Sequence, residues 1–379
     1  MKKKLLIVCG QEIICEKDDG GKKCSFRNYE LLCKVFGDEN VYLCMLTNNK
    51  AEDKGNIFRL TAYRTIADRI VNILRGTLFT SALNEQTIID FINDNMIDIV
   101  VLERSMFGSL IKRIKRQNLT CEIWVFVHNI EKQYFENKVK HQSFLYFLPY
   151  LKIAKSEEET FKYADYIMTL TERDSKLIKE FYGRKSDLTL PMTFYDVFDD
   201  KKRIKTEGNQ REKKLLFIGT MFPPNYDGIK WFVENVMTEL EDYHLSIVGK
   251  NFELKRNELE KKNVDVIGTV ESLEEYYYSD NIMVMPIFYG DGMKIKTAEA
   301  MMYGKTILAS DEALEGYEVE DIQGIYRCNT KEDYIKTLRM IEGKEDYYSE
   351  KVRQLFLTKY CLDSQIIWCK ELLMNKTKK

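Results

Sequence analysis

Short apolar runs recur along the chain, each followed by a polar turn and then a stretch with helical spacing. Residues 5–9 (LLIVC), 41–47 (VYLCMLT), 97–102 (IDIVVL), 122–127 (EIWVFV) and 164–171 (ADYIMTLT) are compact and almost wholly apolar. Runs of that length, bounded by turn residues, read as buried strands. Between them, 26–36, 62–75, 85–95 and 107–116 repeat apolar residues at three- and four-residue intervals, as does the stretch after 171 to about 182. Those intervals predict amphipathic helices. Strands alternating with helices predict a doubly wound parallel sheet. The pattern then stops. Residues 190–213 are polar, charged and weakly periodic, as an interdomain linker is. It restarts with strands expected over 214–218, 244–250, 264–269, 281–288 and 306–310, and helices over about 229–240 and 293–303. The remainder reads as helical and ends in a helix over about 363–374.

Composition narrows the class. The chain has 379 residues, enough for two full cores. Its formal net charge of −2 gives no global basic signal, so no nucleic acid partner is expected. Nine cysteines occur without a CxxC pair, which fits a reducing cytoplasm better than a disulfide framework or a zinc site. The histidines, His128, His141 and His244, are too dispersed for a metal cluster. No paired acids of the kind that hold magnesium stand out, so neither a metal nor a cofactor is expected. No run approaches the length needed to span a bilayer. The opening MKKKLLIVCG reads as a first strand, because its apolar run is too short for a leader and charged residues follow.

The most informative stretch is GDGMKIKTAEAMMYGK, 290–305. Gly290 and Gly292 open a loop after an apolar strand, Met293 begins a run of helix formers, and Gly304 supplies a stop. Lys294 and Lys296 then fall in the first helical turn, where each cation costs about 0.3–1 kcal/mol if nothing compensates. A phosphate lying between the lysines and the glycine loop would compensate both. The rival is that both lysines point into solvent, with Asp291 as an N-cap and Glu299 as the i,i+3 partner of Lys296.

Three further places carry chemistry. His128 and Asn129 begin an HNIE run at the carboxyl end of the 122–127 strand, where α/β sheets bind ligands. The rival is a hydrogen-bonded histidine that closes the strand. Gly20 and Gly21 precede the 26–36 helix and fit either a phosphate or acceptor loop or a plain turn. Residues 138–155 alternate aromatic and aliphatic residues with Lys138, Lys140, Lys152 and Lys155. That suits contact with an anionic membrane face. It equally suits a helix packed on the domain core and interrupted near Pro149.

These motifs resemble the retaining glycosyltransferases of family 4. Asp291 and Glu299 stand eight positions apart ahead of a small-residue run and Gly304, as the family's two acids do. HN-x-E, followed by an acidic helix and a strand, marks a subset of that family. The resemblance implies an α/β GT-B fold, two Rossmann-like domains facing across a cleft. They would be an acceptor domain over 1–190, a donor domain over 191–360, and a final helix over 361–379 returning to the first. It implies a nucleotide-diphosphate sugar donor and a glycan or lipid-linked acceptor. Glu299 would hold the ribose, and Asp291 and His128 would support the sugar. Gly219, Thr220, Gly292, Met293, Lys294 and Lys296 would line the donor, and Gly20, Gly21 and Asn129 the acceptor side. Asp291 is one methylene shorter than the family's usual glutamate. The arginine and lysine that hold the diphosphate in many members are absent, with Thr220 at the arginine's place. The expected activity is metal-independent, retaining transfer in surface polysaccharide or glycoconjugate synthesis, in the cytoplasm or at its membrane face. An inactive binding subunit and a nucleotide-sugar epimerase are the alternatives.

Overall fold

The computed structural model describes residues 3–14, 20–49, 52–77, 79–141, 144–203, 213–290, 292–343 and 346–376. The chain divides into two compact units, Met1–Thr193 with Ile366–Lys379, and Phe194–Gln365.

The first unit is a seven-stranded parallel sheet. Its strands are β1 (Leu5–Cys9), β2 (Val41–Leu46), β3 (Ile57–Leu60), β4 (Ile99–Glu103), β5 (Glu122–Val127), β6 (Tyr166–Thr169) and β7 (Leu188–Thr189), in the order β3-β2-β1-β4-β5-β6-β7. The helices are α1 (Gly20–Phe36), α2 (Ile66–Leu74), α3 (Ala82–Asn95), α4 (Gly108–Arg116), α5 (Glu131–His141), α6 (Phe147–Tyr163) and α7 (Glu172–Tyr182). In β1 and β4 every residue is buried, the mark of strands covered on both faces.

The second unit carries a six-stranded parallel sheet in the order β10-β9-β8-β11-β12-β13. Its strands are β8 (Lys213–Ile218), β9 (Tyr243–Val248), β10 (Val264–Gly268), β11 (Ile282–Met285), β12 (Ile307–Ala309) and β13 (Ile325–Arg327). The helices are α8 (Pro223–Asn235), α9 (Arg256–Leu259), α10 (Glu274–Tyr278), α11 (Ile295–Met302), α12 (Lys331–Ile341) and α13 (Glu350–Lys359); the last helix, α14 (Leu362–Lys376), starts in this unit and from Ile366 onward belongs to the first. The strand period divides the apolar residues between two cores. Leu215 and Phe217 pack with α8 and α12 residues on one face, while Leu216 and Ile218 pack with α11 and α13 residues on the other. Two Rossmann-like sheets in one chain are the GT-B fold class.

Several expected boundaries move. Helix α1 begins at Gly20, so Gly20 and Gly21 form its first turn and are not a loop ahead of it. Helix α8 begins at Pro223, twelve residues before its end, so only 219–222 form the loop after β8. Proline's fixed φ suits a first helical position, where its missing N–H costs nothing. Gly228 lies inside α8, and a Cβ there would stand 1.7 Å from the Pro286 carbonyl oxygen, so only glycine lets the helix pack against the end of β11. Pro149 sits at the third residue of α6 and does not interrupt it.

Candidate functional site

In each sheet the connections reverse direction once, and ligands of α/β sheets bind outside the carboxyl ends of the strands at that point. In the second unit the reversal lies between β8 and β11. Gly219 follows β8, and Gly290 and Gly292 follow β11. The ends of β8 and β9 meet closely here. A Cβ on Gly249, after β9, would stand 1.9 Å from the Gly219 carbonyl oxygen. The Met221 N–H donates to the Lys250 carbonyl (2.9 Å).

Helix α11 starts at Ile295. Lys294 is its N-cap residue, with extended backbone and no side-chain cap, and the first turn contains no acid. Lys294 therefore precedes the helix, and only Lys296 of the two lysines lies in the first turn. At the other end the Gly304 and Lys305 N–H groups donate to the Met301 and Ala300 carbonyls, with Gly304 at φ 62°. That paired closure is a Schellman motif, and it needs the left-handed glycine.

The two lysines take different partners. The Lys294 amine donates to the Gly292 carbonyl (2.8 Å) and to Glu312 Oε1 (2.7 Å), so an acid already answers its charge. The Lys296 amine donates to Asn225 Oδ1 (2.5 Å) and lies 4.8 Å from the centre of the Phe217 ring. A Cβ on Gly219 would stand 2.8 Å from that amine. Lys296 thus covers the Gly219 loop and, among the described residues, makes no ion pair. Burial pushes its pKa down to about 7; nearby Glu299 opposes that shift and Lys294 adds to it. Asn225 is buried, and its amide also donates to the Thr220 carbonyl (2.7 Å), which ties the β8 loop to the lysine.

Glu299 is partly buried on α11 and accepts a hydrogen bond from the Tyr277 hydroxyl (2.8 Å). Burial and then Glu299 hold the Tyr277 phenol well above its usual range. Thr297 Oγ1 donates to the Ala313 carbonyl (2.7 Å), and the Tyr317 hydroxyl to the Lys294 carbonyl (2.8 Å). The 311–317 turn is thereby fixed against the start of α11. Gly292 adopts φ 65°, and Met293 packs on the core beneath. Asp291 lies outside the described residues.

In the first unit the reversal lies between β1 and β4. His128 follows β5 and is buried, with Nε2 2.7 Å from Glu103 Oε2 at the end of β4. The Asn28 amide, from α1, donates to both Glu103 oxygens (3.2 and 3.3 Å). Burial alone would lower the His128 pKa; the Cys24 thiol and the Glu103 carboxylate outweigh it and raise it to about 10. Among the described residues, no nitrogen or oxygen pairs with His128 Nδ1. Arg104, immediately after Glu103, holds φ 84°, a costly conformation for a non-glycine residue at the end of a strand. Asn129 is partly buried in the same turn as His128. Glu131 is buried at the first position of α5, and burial raises its pKa to about 7. Buried Glu157 of α6 accepts from the Glu131 and Lys132 N–H groups (2.9 and 3.0 Å), from Ser105 Oγ and from the Tyr182 hydroxyl (both 2.6 Å). A carboxylate thus caps the helix that follows the HNIE run.

Sequence reasoning misses Asn225, Tyr277 and Glu312 in the second unit, and Glu103, Asn28 and Glu157 in the first. Each reaches its site from a distant segment. The local signals are the acid that follows the apolar 97–102 run and, for Glu157, the acidic helix after the HNIE run.

Residues 212–339 match the family model described as Glycosyl transferases group 1. No curated protein matches the chain. Among solved structures, it is similar to a sucrose-phosphate synthase from Thermosynechococcus elongatus at 14% identity and TM-score 0.67, over 99% of this chain and 100% of that one. A glycosyltransferase from Rickettsia africae aligns at 14% identity and TM-score 0.65, over 98% of each chain. Anabaena HepE, solved in complex with UDP and glucose, aligns at 10% identity and TM-score 0.62, over 97% of this chain and 98% of that one. At such identities the likeness is one of fold.

Proposed function

We propose that this chain, whose residues 212–339 match the glycosyl transferases group 1 model and whose two units have the GT-B fold, moves a sugar from a nucleotide-diphosphate donor to a glycan or lipid-linked acceptor. The observation that carries the reading is the Lys296 amine, seated on the Gly219 loop at the strand reversal with a neutral amide and an aromatic ring beside it and, among the described residues, no ion pair. A half-buried cation there is stabilised by an anion, and the start of helix α11 beside it is where backbone N–H groups favour a phosphate.

Bond breaking leaves negative charge on the departing diphosphate. Donors aimed at that charge stabilise the transition state more than the ground state. Lys296, the Thr220 hydroxyl and backbone N–H groups of the Gly219 and Gly292 loops supply them without a metal. Glu299, oriented by Tyr277, receives the ribose hydroxyls. Lys294, held by Glu312, shapes the glycine loop and is a secondary charge. Asp291 and the imidazolium of His128 support the sugar without forming a covalent bond to it; the resemblance to the retaining family implies that the acceptor hydroxyl attacks from the face the diphosphate leaves, its proton passing to the departing phosphate oxygen, so that the anomeric configuration is retained. Gly20, Gly21 and Asn129 serve the acceptor side. The setting is surface polysaccharide or glycoconjugate synthesis in the cytoplasm. HepE, crystallised with UDP and glucose, is a precedent for the ligand class on this fold.

One observation favours a second reading. Thr220 is exposed at the place where many group members carry an arginine, so the chain could bind a donor without turning it over. Incubation with a panel of UDP- and GDP-sugars separates the two. Transfer predicts nucleotide release from one donor, abolished in Glu299→Ala, with a product of unchanged anomeric configuration by NMR. Binding without release from any donor leaves the second reading. A donor whose sugar is altered with no acceptor present is the signature of an epimerase.

A further inference from the structure

Three helices of the first unit build a surface unconnected with the donor chemistry. Helix α2 packs on α6, and the chain leaving α2 meets α6 at Gly76, where a Cβ would stand 2.7 Å from the Lys152 carbonyl oxygen. Helix α4 meets the same helix at Gly108, where a Cβ would stand 2.4 Å from the Ser156 carbonyl oxygen. These close approaches leave an open hollow of about 380 Å3 lined by Arg75, Lys112, Arg113, Arg116, Lys152 and Lys155.

The hollow is under-neutralised. Glu85, buried below it, pairs with Arg75 (3.1 Å) and Arg113 (3.2 Å); Glu159 pairs with Lys112 and Glu158 with Lys155 (both 2.8 Å). Six cations therefore face three carboxylates. Arg116 and Lys152 form no ion pair among the described residues.

Beside the hollow the same helices turn apolar side chains outward. On α2, Ile66, Ile70 and Leu74 recur every fourth residue, a single stripe, and all are exposed, Ile66 by 79%. At the start of α6, Phe147, Leu148 and Leu151 are exposed, and Phe144 and Leu145 just before them are exposed by 74% and 86%. A stable monomer gains nothing by presenting so many large apolar side chains to water. Sequence reasoning reaches only the 138–155 half of this surface. Helix α2 and the basic hollow are supplied by the fold.

We propose that the α2–α6 face is a docking surface for an anionic lipid bilayer. Its apolar stripes enter the headgroup boundary, and the hollow of Arg75, Arg113, Arg116 and Lys152 receives acidic headgroups. Charge complementarity selects this occupant: apolar residues bordered by uncompensated cations fit a surface that is anionic above and hydrocarbon below. No helix among the described residues is long and apolar enough to cross a membrane, so the contact is peripheral.

The test is sedimentation of the full chain with phosphatidylcholine vesicles, and with vesicles of phosphatidylcholine mixed equally with phosphatidylglycerol. Binding is expected to the mixed vesicles alone, and to fall as salt shortens the screening length towards about 3 Å. Arg116→Glu and Lys152→Glu each weaken it by about fivefold or more. Ile70→Ser with Leu145→Ser weakens it even at low salt. Circular dichroism and nucleotide-sugar binding, measured on each variant, report folding and keep this inference separable from the donor reading. Equal binding to both vesicle types, no binding to either, or charge and apolar variants that bind as the parent does would overturn it. So would self-association of the chain that the apolar substitutions abolish while vesicles are ignored.

Discussion

Lys296 stands where a helix start makes a cation unwelcome, and where burial does so again. Both penalties lift when an anion arrives. The pH dependence follows. With a pKa pushed down to about 7 in the empty site, the amine is charged below that pH and increasingly neutral above it. The diphosphate favours the charged form, so donor affinity is full below pH 7 and falls as pH rises through and beyond 7. A nucleotide sugar has no terminal phosphate titrating in this range, which makes it the right ligand for the titration. Calorimetry from pH 6 to 9 should show this decline in the parent and a flat profile in Lys296→Met. Removing a cation whose charged form the fold disfavours should also raise the melting temperature of that variant at neutral pH. His128 presents the opposite case. Glu103, 2.7 Å away, helps to keep its ring charged. With only three histidines in the chain, NMR can follow it directly. In Glu103→Gln the ring should titrate about 1–3 pH units lower than in the parent. An unchanged titration would remove Glu103 from any role in holding the imidazolium.

At the scale of elements, legibility follows burial. Central strands such as β1, β4 and β11 are continuous apolar runs because helices cover both faces, and they stand out in the sequence. β3, β7 and β13 lie at sheet edges, are two to four residues long and are only partly buried, so no apolar run marks them. The start of α8 is hidden for another reason. PPNYDG has turn composition, but its prolines sit where a helix begins, and Gly228 is required by the Pro286 carbonyl on a distant strand. The site is legible to the same degree. The glycine loop and the lysines of 290–296 are local and visible. Asn225 and Glu103 are tertiary partners, invisible to periodicity. Gly228→Ala tests the packing claim. With a backbone oxygen 1.7 Å away the added methyl cannot be absorbed by a side chain, so the cost should reach about 3 kcal/mol or more. Thermal unfolding would show it as a lowered melting temperature. Because α8 carries Asn225, donor affinity should fall with it. An alanine variant as stable as the parent would mean that α8 does not approach β11 as described.

For the whole molecule, the restart of the strand–helix pattern after the 190–213 stretch already implies two α/β units, and two units are observed. A near-neutral total conceals local imbalance: the −2 net charge coexists with the basic hollow of α2, α4 and α6. The described cysteines are all buried and unbonded, so each unit is held by its apolar core and not by disulfides. The donor reading assigns the nucleotide sugar to the second unit through a small set of side chains, and calorimetry on the full chain tests it most directly. Titration with UDP- and GDP-sugars should find one donor that binds, with affinity at least about tenfold weaker in Lys296→Met and in Glu299→Ala, as expected when a charged hydrogen-bonding partner is removed. No binding of any donor to the parent, or binding unchanged in both variants, would contradict it.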